Sequence, residues 1–151
     1  MNYWLVKSEA DCYSIDDFKK DKKASWTGIR NYQARNFMRD SMKVGDGVLF
    51  YHSSTEPKAV VGIAKVVSKP HLDETAFNTK DDHYDPKSKK DIPTWICVDL
   101  QFVKKFTREV TLAEIKNRPD LKGMPLTQTG SRLSVQPVSE AHFMIIEKLG
   151  E

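Results

Sequence analysis

Between Ser25 and Arg39 the chain reads Ser-Trp-Thr-Gly-Ile-Arg-Asn-Tyr-Gln-Ala-Arg-Asn-Phe-Met-Arg. Each polar or aromatic type in that stretch suits one part of a nucleotide. Trp26 and Tyr32 offer flat faces on which a base can stack. Arg30, Arg35 and Arg39 carry forks that match a phosphate or a base edge. Asn31, Gln33 and Asn36 carry amides that can pair with polar base edges. The segment therefore reads as one wall of a pocket for a single nucleic-acid base. The same spacing also describes a core tryptophan followed by an amphipathic helix whose basic face is merely solvated.

Other parts of the chain offer groups to complete such a pocket. His52 and Ser53 stand at the end of an apolar run, where side chains emerge at a sheet rim. His52 is read either as a donor to a base carbonyl or as a satisfied rim histidine. Ser131 and Arg132 come from far along the chain and would close the site, with Arg132 forking onto a phosphate. Lys7 and Ser8, at the end of the first apolar run, would add phosphate contacts. Arg30 fits a ligand role and equally a structural one, paired with an acid such as Glu9. Trp4 and Tyr51 fit a second rank of stacking surfaces or the core.

Catalysis has less support. Asp46, His52 and Ser53 supply an acid, a base and a nucleophile by type, but neighbours on a strand point to opposite faces, which separates Ser53 from His52. The chain has no Gly-x-Ser-x-Gly and no phosphate-binding glycine loop. Cys12, Cys97 and the four histidines are scattered without metal-ligand spacing. No metal and no cofactor is expected.

The 151 residues fit a single domain spanning 1–151. With 24 Lys and Arg against 21 Asp and Glu, the formal charge is +3. That mild excess permits nucleic-acid binding but not tight, indiscriminate phosphate binding, so a specific pocket must supply much of the affinity. No apolar run approaches the roughly 20 residues of a membrane span. The N-terminus lacks a signal-peptide layout. An intracellular protein without membrane contact is expected, monomeric, and nuclear in a eukaryote.

Hydropathy and cap residues place the elements. Tyr3 to Lys7 reads as a strand. Ser14 with an acid three residues on opens a helix over Ile15 to Lys20, and Asp21 to Lys23 reads as a solvated loop. Asn31 caps a helix to about Ser41 that buries Ala34, Phe37 and Met38. Val48 to Ser53 and Ala59 to Ser68 form a hairpin, with Gly62 at a bulge or a close backbone approach. Residues 69–93 read as a long polar loop, a length that is usually functional or disordered. Thr94 to Phe106 reads as a strand with Ile96, Val98, Leu100 and Phe102 facing the core. Thr111 opens a helix that Pro119 stops. A last strand follows Ser131, and Ser139 caps a helix to Leu149. Long strands with short helices between them predict an α+β fold, mostly antiparallel, curled into a small barrel.

Four blocks resemble the EVE domain, the thymocyte nuclear protein-like family within the PUA-like superfamily. They are Tyr3 to Glu9, Trp26 to Asn36, Leu49 to Ser53 and Ser131 to Val135, in family order and over nearly the whole chain. The resemblance implies a PUA-like mixed pseudobarrel surrounded by short helices. It also implies a pocket for one modified base, such as 5-methyl or 5-hydroxymethyl cytosine in DNA, or a modified base in RNA. One departure is Ala10, where the family usually has proline after Lys-Ser-Glu; this loosens the chain at the pocket rim. Some PUA-like relatives resemble hydrolases of modified nucleosides, which is the alternative activity the resemblance allows. An aromatic cage for methylated lysine is a third reading, but the arginines around these aromatics would repel a cation.

Overall fold

The computed structural model describes residues 1–128 and 133–151. Its main sheet has six strands in the order β2-β7-β4-β3-β1-β8. These are β1 (Tyr3–Ser8), β2 (Lys23–Ser25), β3 (Gly47–His52), β4 (Ala59–Val66), β7 (Asp99–Thr111) and β8 (Val135–Val138). Only β1 and β3 run parallel, from Tyr3 opposite Gly47 to Ser8 opposite His52; every other pairing is antiparallel. A two-stranded ribbon joins β5 (His71–Leu72) to β6 (Ile96–Cys97). Helices α1 (Ile15–Asp21), α2 (Tyr32–Asn36), α3 (Leu112–Asn117) and α4 (Glu140–Leu149) lie around the sheet. The architecture is the α+β, mostly antiparallel curled sheet expected from the strand and cap pattern.

Alternation along the central strands builds two cores, one on each face of the sheet. Trp4, Val6, Val48 and Phe50 point to one face and pack with Ile15 and Phe18 of α1, Trp26, and Ala34 and Met38. Leu5, Leu49 and Tyr51 point to the other, against Ile115 of α3 and Phe143 and Ile146 of α4. Trp4 and Tyr51 are therefore core residues, 3% and 2% exposed. Asp46 is likewise structural. It is buried and accepts from the Trp4 indole N–H at 3.0 Å and from the backbone N–H of Asn2 and Lys43.

The caps form as their residue types dictate. Ser14 and Asp17 make a reciprocal capping box, and Asn31, Thr111 and Ser139 each accept a backbone N–H three residues on. Past α2 the helix continues to Ser41 as a π turn. Gly62 sits at a register shift between β4 and β7, where a Cβ would lie 2.6 Å from the Lys104 carbonyl oxygen.

Three segments differ from the sequence expectation. Of the loop expected over Asp21 to Lys23, Asp21 ends α1 and Lys23 opens the edge strand β2, whose residues Lys23–Ser25 pair with Asp99–Gln101. The Thr94–Phe106 strand is broken at Val98, whose carbonyl turns to accept from the Trp26 N–H at 2.8 Å. The chain thereby passes from the small ribbon to the main sheet, and β7 continues to Thr111. Because the 69–95 segment covers the second face there, Trp95 and Cys97 are buried as well as Val98 and Leu100. That segment is an ordered chain of turns. Asp73, Asn78, Asp81 and Asp85 each accept a backbone N–H two residues on, so its polar composition encodes Asx turns.

Candidate functional site

The end of β1, the turn that follows it, the β2–α2 connection and the tip of the 69–95 segment enclose an open cavity of about 700 Å³. That volume is within the range of small-molecule and cofactor pockets. Its apolar floor is Trp26, Tyr13 and Ile29; Lys7, Ser8, Glu9, Asn31, Asp82 and His83 supply polar groups.

Trp26 is 8% exposed. Phe50 meets it edge-on at 5.6 Å between centroids, and Tyr13 and Phe18 each lie 6.2 Å away. The indole is thus held by the core and gives its remaining surface to the cavity. Ser8 is buried, and its hydroxyl donates to the Tyr13 carbonyl at 2.6 Å, which ties the end of β1 to the turn behind the cavity. Lys7 lines the wall. Burial, and then the charge of Lys58, lowers its ammonium pKa from the usual lysine range.

Arg30 lines the cavity but spends its fork internally. Nε and Nη2 donate to the His83 carbonyl at 3.0 and 2.7 Å, Nη1 pairs with Asp73 at 3.0 Å, and Nη2 also reaches Thr75. Its acid partner is Asp73 rather than Glu9. Burial alone would raise the Asp73 carboxyl. Hydrogen bonds from Thr75, the Gly28 N–H and Arg30 outweigh that and hold it below the ordinary carboxylate range. Gly28 has φ +81°, and a Cβ there would sit 2.9 Å from the His83 ring. The β2–α2 connection and the 69–95 segment are therefore clamped together along one side of the cavity.

The other sequence candidates fall in different places. Asn31 lines the cavity while its side-chain oxygen caps α2. Gln33 is exposed on α2 and outside the lining. Tyr32, 61% exposed, lies against Trp95 at 5.0 Å. Arg35 lies 5.0 Å over the Tyr32 ring, and its Nη1 donates to the Thr94 carbonyl. Arg39 pairs with its neighbour Asp40 instead of joining Arg35. His52 faces α1, where its Nε2 accepts the Ile15 N–H at 3.1 Å. Ser53 bonds the Ser8 carbonyl through its backbone N–H at 3.0 Å. The two neighbours thus serve different elements. Ser131 and Arg132 lie outside the described residues; Ser134, just after them, lines the cavity.

Sequence reasoning did not select Tyr13, Glu9, Asp82 or His83. The available signal was the length of the 69–93 segment, which marked it as functional without saying which residue reaches the cavity. Another cluster, Cys97–His71–Asp99, has the types of a nucleophilic triad. Its thiol is fully buried and burial pushes it up to about 12. The sulfur lies 3.6 and 3.8 Å from the two ring nitrogens, nearly equidistant and so in line with neither. Among the described residues no group of three or more His, Cys, Asp or Glu is placed to hold a metal ion, and no helix is long and apolar enough to cross a membrane.

Comparison with known proteins gives one consistent family. The EVE domain model matches residues 2–149. Mouse thymocyte nuclear protein 1 is 42% identical, over 99% of this chain and 74% of its own length. A Pseudomonas syringae protein of known structure superposes with TM-score 0.94 at 41% identity, covering 99% of each chain. The crystal structure of human THYN1 in complex with 5-methylcytosine-containing DNA superposes with TM-score 0.93 at 38% identity, covering 100% of this chain and 98% of that one.

Proposed function

The chain belongs to the EVE domain family, and we propose that it is a nucleic-acid-binding module that takes one modified base, 5-methylcytosine in DNA foremost, into the cavity beside Trp26. The observation that carries this reading is the cavity itself, floored by aromatic and apolar surface and bordered by Lys7 and Asn31. The DNA complex of human THYN1, similar over the full length, supports the choice of ligand.

A base within a duplex shows only its edges, and swinging it out costs a few kcal/mol. Stacking on an aromatic surface returns about 1–3 kcal/mol per base. Burying a 5-methyl group on apolar surface adds roughly 0.8 kcal/mol, about fourfold in affinity. Larger discrimination requires that the unmodified base leave a void or an unpaired polar group. Lys7 supplies a cation for a phosphate, and Asn31 brings a side-chain amide into the cavity lining for a base edge. Arg30, Arg35 and Ser53 position the walls, and His52 holds α1.

We read the protein as a binder rather than a catalyst, acting as a monomer within the cell. The engagement of His52 and Ser53 with separate backbone groups supports this over nucleoside hydrolysis. Fluorescence anisotropy with matched duplexes tests the proposal. A duplex with one 5-methylcytosine is expected to bind severalfold tighter than its plain counterpart; equal binding at several salt concentrations would refute it.

A further inference from the structure

We propose that Tyr32 is a second stacking surface outside the cavity, lying against the base that neighbours the extruded one. The proposal rests on reading the cavity as a base pocket. Tyr32 is the most exposed aromatic ring among the described residues, at 61%. It is nonetheless held in place. Trp95 backs it at 5.0 Å and 30° between planes, and the Trp95 indole N–H is anchored on Asp85 at 2.8 Å. Arg35 lies 5.0 Å over the Tyr32 ring and is fixed to the Thr94 carbonyl at 2.9 Å.

Its position follows from its chain neighbours. Arg30 and Asn31 line the cavity, and the Arg30 guanidinium also lies 5.2 Å from the Trp95 ring. Arg30 therefore joins the cavity lining to Trp95, and Tyr32, next in the chain after the lining residues Arg30 and Asn31, lies on that same Trp95 ring. Extrusion of a base breaks its stack with the neighbour and leaves one flat face uncovered. An exposed, immobilised ring beside the lining can cover that face without an ordering penalty. Every base has a π face, so this contact adds affinity without reading sequence or methylation.

The test uses the full chain with duplexes carrying 5-methylcytosine or cytosine, and 2-aminopurine as the adjacent base. Tyr32→Ala is expected to weaken both duplexes about tenfold while leaving their affinity ratio unchanged. Tyr32→Phe is expected to match the parent. Tyr32→Leu, which keeps Trp95 covered but has no π face, guards against misfolding and is expected to behave as Tyr32→Ala does. In the parent complex 2-aminopurine emission should be quenched relative to the Tyr32→Ala complex. Equal affinity of parent and Tyr32→Ala, or equal emission from both complexes, overturns the proposal. A parent chain without preference for the methylated duplex instead sinks the pocket reading, and the two failures are read from different proteins.

Discussion

Arg30 and Asp73 meet at 3.0 Å although 43 residues separate them, and Asp73 is fully buried where they meet. This pair fastens the 69–95 segment to the β2–α2 connection and so shapes one side of the cavity. Arg30→Lys keeps the charge but loses the fork that also holds His83 and Thr75. Removing one partner of a buried pair costs about 3 kcal/mol. Urea denaturation should show a loss of that order for Arg30→Ala and only partial recovery for Arg30→Lys; full recovery by lysine would show that charge alone matters.

Trp26 belongs to the core and to the cavity at once, so truncating it confounds two effects. Trp26→Ala is expected to destabilise the fold by about 3–5 kcal/mol. Trp26→Phe keeps a ring among Tyr13, Phe18 and Phe50 with a smaller cost. Thermal unfolding paired with anisotropy separates the roles. A folded Trp26→Leu, which lacks a π face, binding methylated DNA as tightly as the parent would clear the indole of base stacking.

Gly28→Ala tests the clamp from the backbone side. At φ +81° any side chain pays about 1–2 kcal/mol. The added Cβ also presses on the His83 ring, which is half exposed and can swing away. The variant should lose stability by about the conformational term alone in chemical denaturation. A much larger loss would mean that His83 cannot yield.

His52 makes stability depend on pH. Burial lowers its pKa below the ordinary histidine value of 6.5, and its Nε2 must stay unprotonated to accept the Ile15 N–H. The unfolded chain therefore takes up the proton first. This contribution is whole above about pH 6.5 and is lost as pH falls from there through the lower folded pKa. Thermal midpoints between pH 8 and 5 should fall more steeply for the parent than for His52→Gln; identical slopes would exclude the linkage.

Cys97 is predicted to be inert. Its thiol is buried and pushed up to about 12, whereas Cys12 is exposed. Titration with a thiol reagent at mildly alkaline pH should count one reactive cysteine in the native protein and two after denaturation. Rapid reaction of both in the native state would contradict the burial of the β5–β6 ribbon.

Sequence alone determined what depends on neighbours along the chain. Ser14, Asn31, Thr111 and Ser139 cap helices because a short polar side chain reaches an N–H three residues on wherever the chain turns into a helix. Tyr3 to Lys7 and Val48 to Ser53 were legible as strands from their β-branched and aromatic content. The aromatic and basic content of residues 25–39 was also legible, as was the family resemblance.

Tertiary structure decided which of those groups reach a ligand. A side chain has one direction, and its partners come from any distance along the chain. Arg30 turned inward to Asp73 and His83, Arg35 to Thr94, and His52 to Ile15, because each met a backbone or carboxylate acceptor, or in the case of His52 a backbone donor, that burial left in need of a partner. Curling of the sheet brought Lys7 and Ser8 beside Trp26 and Asn31. No spacing in the sequence encodes that meeting, since it is set by how the strands and the covering segment close over one another.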